Sequence, residues 1–121
     1  MGQKDEKGYH KLLVWQRARE LVLIIYKYTE DFPKSEEFGL KGQLRRAAVS
    51  VVLNIVEGYR RSSTNDYLRF LNIADGSLSE LEAGFELALD LKFITERKYL
   101  EVENKRKEVG YLIFRLIRSL K

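Results

Sequence analysis

Apolar residues return every three or four positions along most of this chain, the period of helices packed on one side. Val14, Ala18, Leu21, Ile25, Tyr28 and Phe32 share one face of a first predicted helix, from about Leu12 to Phe32. Phe32-Pro33 stops it, because the residue before proline avoids the helical region and proline cannot continue the hydrogen-bond ladder. A second helix is predicted from near Glu36, with Ser35 as a candidate N-cap, to about Arg61. After the polar break at 62–66, Ser63 followed by Asp66 resembles a capping box. A third helix then carries Tyr67, Phe70, Leu71, Ala74, Leu78, Leu81, Phe85, Ala88 and Leu89 inward, to about Leu91. Thr95 is placed to cap a fourth, whose inward residues are Val102, Val109, Ile113, Leu116, Ile117 and Leu120. Short links force antiparallel neighbours, so the pattern predicts an all-α, up-down-up-down four-helix bundle. Residues 1–10 read as a flexible N-terminus and residues 11–121 as a single domain.

The second helix carries more than one stripe when wound at about 100° per residue. Leu40, Leu44, Ala47, Ala48, Val51, Ile55 and Gly58 form its core face. Val52, Leu53 and Val56 point well away from that face, and the first helix has a second stripe of Trp15, Val22 and Tyr26. A β-branched patch left in water is a liability. The two patches either meet within the monomer or meet across a subunit boundary. The reading adopted is an oligomer interface, since one helix of a small bundle cannot hide both faces. A third stripe, Gln43, Ser50, Asn54 and Glu57 with Arg46 beside it, lines one edge. It reads as a polar seam that fixes register through hydrogen bonds, with a ligand site as the alternative.

Composition adds limits rather than chemistry. Hydrophobic residues make up 45% and charged residues 33%, an ordinary globular balance. One proline and eight glycines leave little turn material and favour long helices. With no cysteine, disulfides and thiolate metal sites are excluded. The first ten residues lack the apolar core of a secretory signal, and no apolar run reaches the ~18 residues of a membrane span. A cytoplasmic protein without membrane contact is expected. The only histidine is His10, so neither an inward Glu-x-x-His metal site nor a histidine-based nucleophile system is expected. Asp75, Glu80 and Glu82 read as a solvated acidic face, and Gly39-Leu40-Lys41-Gly42 is too short for a phosphate loop. No catalytic residue and no cofactor is expected.

Charge is uneven along the chain. The total is +4, yet residues 63–92 hold two basic and six acidic groups, while residues 93–121 hold eight basic and four acidic. Neighbouring helices complementing one another is one reading, and a surface that steers nucleic acid is the other. The basic residues nearest to aromatics are Lys41, Arg45, Arg46, Arg60 and Arg61 on the second helix, with Tyr59 among them. A second set, Lys105, Arg106, Lys107, Arg115 and Arg118, lies on the fourth. Each exposed one can neutralise a phosphate.

Four segments together carry a family resemblance: Leu13-Val14-Trp15-Gln16, Phe32-Pro33, QLRRAAVSVVLNIVEGYRR at 43–61 and FLNIADGSLSELE at 70–82. They resemble the small four-helix-bundle proteins encoded in intervening sequences of bacterial 23S rRNA genes, over about Tyr9 to Leu120. Val52 stands where many members have proline, which predicts a straighter helix and a greasier outer face. The resemblance implies an antiparallel bundle assembled as a ring-shaped homopentamer. A related branch, the accessory variability determinant (Avd) of diversity-generating retroelements, is a basic pentamer that binds a reverse transcriptase and nucleic acid. By that likeness Arg45, Arg46, Arg60 and Arg61 are candidates for contact with RNA or a polymerase, with Lys41 beside them as a further nucleic-acid candidate, RNA or DNA, on charge. Arg45 and Arg46 have the alternative of intersubunit ion pairs with Glu57 or the acidic third helix. The expected function is a non-enzymatic oligomeric scaffold that binds RNA through basic surfaces. The alternatives are an accessory subunit of a reverse transcriptase and a purely structural oligomer.

Overall fold

The computed structural model describes residues 8–121. A 3-10 turn at Gly8–Lys11 leads into helix α1 (Leu13–Thr29), and a second 3-10 turn at Lys34–Glu36 precedes α2 (Leu40–Tyr59). Helices α3 (Thr64–Asp90) and α4 (Glu96–Leu120) follow. Among the described residues the fold is all-α. Each helix packs on the next in sequence, and α4 returns to pack on α1. The result is the four-helix bundle that the periodicity predicts.

The predicted inward residues supply the core. Leu21, Ile25, Leu44, Val51, Ile55, Leu71, Leu78, Leu81, Phe85, Val102, Val109 and Ile113 are fully buried. Taking such a side chain out of water contributes roughly 1.5–3 kcal/mol. The α2–α3 pair is the most intimate, because small residues let the backbones approach. At Gly58 a Cβ would lie 2.9 Å from Tyr67 Cδ1 and 3.0 Å from the Cβ of Phe70. At Gly84 it would meet the Leu44 side chain at 2.5 Å.

The helix ends show which local signals hold. Ser63 Oγ accepts a hydrogen bond from the Asp66 N–H, and Thr95 Oγ1 accepts one from the Lys98 N–H, so both caps form as read. The start of α2 differs from the expectation. Lys34–Glu36 wind into a separate turn, and the helix begins only at Leu40, whose N–H donates to Glu36 Oε1 at 2.9 Å. Ser35 therefore caps nothing, and Glu36 serves the helix from outside it. Helix α1 ends at Thr29, short of Phe32; the Thr29 hydroxyl donates back to the Ile25 carbonyl at 2.7 Å. Phe32 is nevertheless buried, its ring 5.5 Å from that of Phe93.

The α3–α4 link closes with Phe93 N–H donating to the Ala88 carbonyl and Lys92 N–H to Leu89. That is a Schellman ending, and Lys92 occupies its left-handed position at φ 64° where glycine is usual. The expected flexible stretch at residues 1–10 lies outside the described residues up to residue 7. From Gly8 onward the chain is folded, with the Tyr9 and His10 rings against Trp15 at 5.3 and 4.5 Å.

Candidate nucleic-acid interface

Antiparallel order gives the bundle two distinct ends. One, the Pro33 end, gathers the C-termini of α1 and α3 and the N-termini of α2 and α4. The other, the Arg60 end, gathers the N-termini of α1 and α3 and the C-termini of α2 and α4. The five candidate basic residues on α2 and just past its end divide between them.

Lys41 and Arg45, toward the Pro33 end, are drawn into the structure instead of facing a ligand. Lys41 is only 8% exposed, and its Nζ lies 3.1 Å from Glu37 Oε1. The Arg45 guanidinium lies over the Tyr26 ring at 4.4 Å. It donates to Thr29 Oγ1 (2.9 Å), to the Tyr26 carbonyl (3.0 Å) and to Glu30 Oε1 (3.2 Å). These partners belong to the last turn of α1 and the residue beyond it, where unsatisfied carbonyls and the negative dipole end attract a cation. Arg45 thus fastens α2 to α1 within one chain, and its acid there is Glu30.

Arg60 and Arg61 lie just past the end of α2, beyond reach of such partners. Arg60 is exposed, its guanidinium 5.3 Å from the Tyr9 ring centre. Arg61 lies 4.7 Å from the Phe70 ring and pairs with Glu57 at 2.6 Å. Arg69, which sequence reasoning passed over, covers the same Phe70 ring at 4.5 Å and pairs more loosely with Asp66 at 3.5 Å. All three side chains keep accessible surface while resting on aromatic rings, which holds them in place; Glu57 and Asp66 partly offset the charge of Arg61 and Arg69. Tyr59 and Tyr67 meet edge to face nearby at 6.4 Å. Burial raises the Tyr67 hydroxyl above the usual tyrosine range, with a smaller push from Tyr59.

Arg46 is exposed and lines a groove of about 560 Å³ between α2 and α3, with Leu40, Gln43, Ala47, Glu80 and Leu87. The polar stripe is partly knitted together: Asn54 Nδ2 donates to the Ser50 carbonyl (2.8 Å) and to Ser50 Oγ (3.1 Å). Ser77 Oγ donates to Ser50 Oγ at 2.8 Å, joining α3 to this set. Gln43 and Glu57 stay at the surface.

The two outer apolar patches touch in part. Val22 and Val52 are half-buried against the core and line one shallow groove with Leu23 and Val49. Trp15 is half-buried too, while Val56 is partly covered. Leu23 and Leu53 remain 54% and 57% exposed, with Tyr26 beside them. On α4, Lys105 joins Glu20 (2.8 Å) and Glu108 (3.3 Å), and Arg106 joins Glu103 and Glu82. The hydrogen bond with Lys105 is the main cause holding the Glu20 carboxyl below the usual range, and its partner Lys105 is raised in turn. Lys107, Arg115 and Arg118 face outward. Among the described residues no cluster of three or more His, Cys, Asp or Glu side chains is arranged to hold a metal ion, and no helix is long and apolar enough to cross a membrane.

Residues 10–115 match the family model described as 23S rRNA-intervening sequence protein. Among solved structures, the chain is similar to a protein with unknown function from the S23 ribosomal protein family of Bacteroides thetaiotaomicron VPI-5482. The TM-score is 0.80 at 27% identity, covering 88% of this chain and 96% of that one. No curated protein matches.

Proposed function

The chain belongs to the 23S rRNA-intervening sequence protein family, and on that footing we propose that it is a non-catalytic homo-oligomeric scaffold, a pentamer, that binds RNA or other nucleic acid through the basic surface at its Arg60 end. One observation carries the binding half of this reading: Arg60, Arg61 and Arg69 rest on the Tyr9 and Phe70 rings with their side chains exposed to solvent. Guanidinium groups held this way suit phosphate contact and base stacking together. Arg46 is a further exposed candidate, whereas Lys41 and Arg45 are occupied within the chain. In a ring the modest charge of each subunit repeats, and the field over one face grows with it.

The assembly half rests on the apolar face of α1 and α2, where Leu23, Tyr26 and Leu53 stand exposed beside Val22, Val52 and Val56. A charge placed in that contact, Val52→Glu or Val56→Glu, is expected to give monomers by light scattering; a variant that stays fully oligomeric places the contact elsewhere.

The binding test compares the wild type with the double charge reversal Arg60→Glu and Arg61→Glu on structured RNA, at low and at physiological salt. Binding should weaken at least tenfold, with a shallower salt dependence and unchanged particle mass. Normal binding by the variant rejects the site. A wild type that binds RNA only after a reverse transcriptase is added fits the accessory-subunit alternative instead.

A further inference from the structure

Helix α4 carries a second feature at the Arg60 end that the bundle does not use. Val102, Val109 and Ile113 turn fully inward, and Gly110 meets Leu78 of α3 across the core side. On the opposite side of the helix, Lys107, Tyr111, Phe114, Arg115 and Arg118 recur at spacings of three, four and seven, so they form one outward stripe. Tyr111 is 58% exposed and Phe114 53%, and neither packs against the core. Each ring is paired with an arginine one turn on: Arg115 lies 5.9 Å from the Tyr111 centroid and Arg118 5.7 Å from that of Phe114. No acidic residue occurs from Val109 to Lys121.

Resting on the proposed RNA-binding role, we propose that this stripe is a stacking track for unpaired nucleotides, so that the protein prefers single-stranded over duplex RNA. The argument is one of matching chemistry. Two large rings left in water are unfavourable unless something flat covers them. Three cations around them, Lys107, Arg115 and Arg118, with no acid from Val109 onward, call for a polyanion. Only a single strand offers phosphates together with bases free to stack; a duplex keeps its bases stacked on one another.

The test uses the full chain and two fluorescein-labelled probes, an oligouridine and a blunt RNA duplex of equal nucleotide count, followed by anisotropy over a salt series. Light scattering is recorded in parallel. The wild type should bind the oligouridine more tightly. Tyr111→Ala with Phe114→Ala should weaken that binding about tenfold or more while leaving duplex binding and particle mass unchanged, and Phe114→Tyr should retain it. Equal or tighter wild-type binding of the duplex overturns the inference and leaves the broader RNA-binding reading standing. So does oligouridine binding that the double alanine variant leaves intact. A change of mass in that variant makes the stripe a subunit contact and also overturns it. A wild type that binds neither probe overturns the inference and the RNA-binding reading together.

Discussion

The two ends of the bundle use the same residue types in opposite ways. At the Pro33 end, arginine and aromatic groups close the structure: Phe32 and Phe93 pack together, and Arg45 clamps the end of α1 under its guanidinium. At the Arg60 end, arginines lie outside the aromatic rings and cover them from the solvent side. The difference comes from what each arginine can reach. Arg45 stands opposite the free carbonyls of a helix C-terminus and a threonine hydroxyl, so three hydrogen bonds are available at once. Arg60 and Arg61 follow the last turn of their own helix, where side-chain acids and ring faces are the available partners. An arginine beside an aromatic is thus no sign of function until its remaining donors are accounted for.

The contrast is most easily broken at the Pro33 end. Phe32→Ala removes a buried ring and should cost about 3–5 kcal/mol, read as a fall in denaturant midpoint at unchanged slope. Arg45→Ala should cost about 1–3 kcal/mol, since it strips a charged donor from Thr29 and the α1 carbonyls. A loss below about 0.5 kcal/mol would place Arg45 with the surface arginines. Lys92→Gly goes the other way: relieving φ 64° at the Schellman position should stabilise by about 0.5–1 kcal/mol in thermal melts.

Between the ends, Glu20 and Lys105 pair α1 with α4. The Glu20 carboxyl is lowered, so its contribution is present above the unfolded carboxylate value and is lost as pH falls through the lower folded value. Lys105 is raised, so its contribution holds below the ordinary lysine range and is lost as pH rises through the higher folded value. Both side chains are partly exposed, and screening keeps the effect under about 1 kcal/mol. Glu20→Gln should therefore lower stability most near neutral pH, with the gap narrowing in acid and in strong alkali. The smallest effect belongs to the Arg60 end, where Arg60→Ala and Arg61→Ala should each change stability by less than about 0.5 kcal/mol. A larger loss would make those arginines part of the fold.

Much of this architecture is readable from the sequence, and the reason is local. A three-to-four period identifies Leu21, Val51, Leu78 and Val109 as core without knowledge of their neighbours. Ser63 and Thr95 announce their helices through the residues that follow. The start of α2 misleads because Ser35-Glu36 imitates a cap, while Phe38-Gly39 delays the helix by several residues. Basic charge near aromatics groups Lys41 and Arg45 with Arg60 and Arg61 in the sequence. Separating them requires the position of Thr29 and Glu30, which belong to another helix. Arg69 escapes notice in the sequence because its partner ring, Phe70, reads as core in the helical period and is in fact half-covered by Arg61 and Arg69. The outward stripe on α4 had a usable signal: its rings and cations repeat on the side opposite Val102, Val109 and Ile113.

The order of packing also bears on how the chain reaches this state. Three of the four helix pairings join neighbours in sequence, so they close short loops and form quickly, as in other helical proteins of low contact order. Docking of α1 on α4 is the exception, bringing together residues as far apart as Glu20 and Lys105. Its polar bonds, Tyr28 to Glu101 and the Glu20–Lys105 pair, lie near the surface. It should be the last contact made in refolding and the first released in unfolding. Amide exchange along α1 and α4 should then report the earliest openings, ahead of the tightly packed α2–α3 pair.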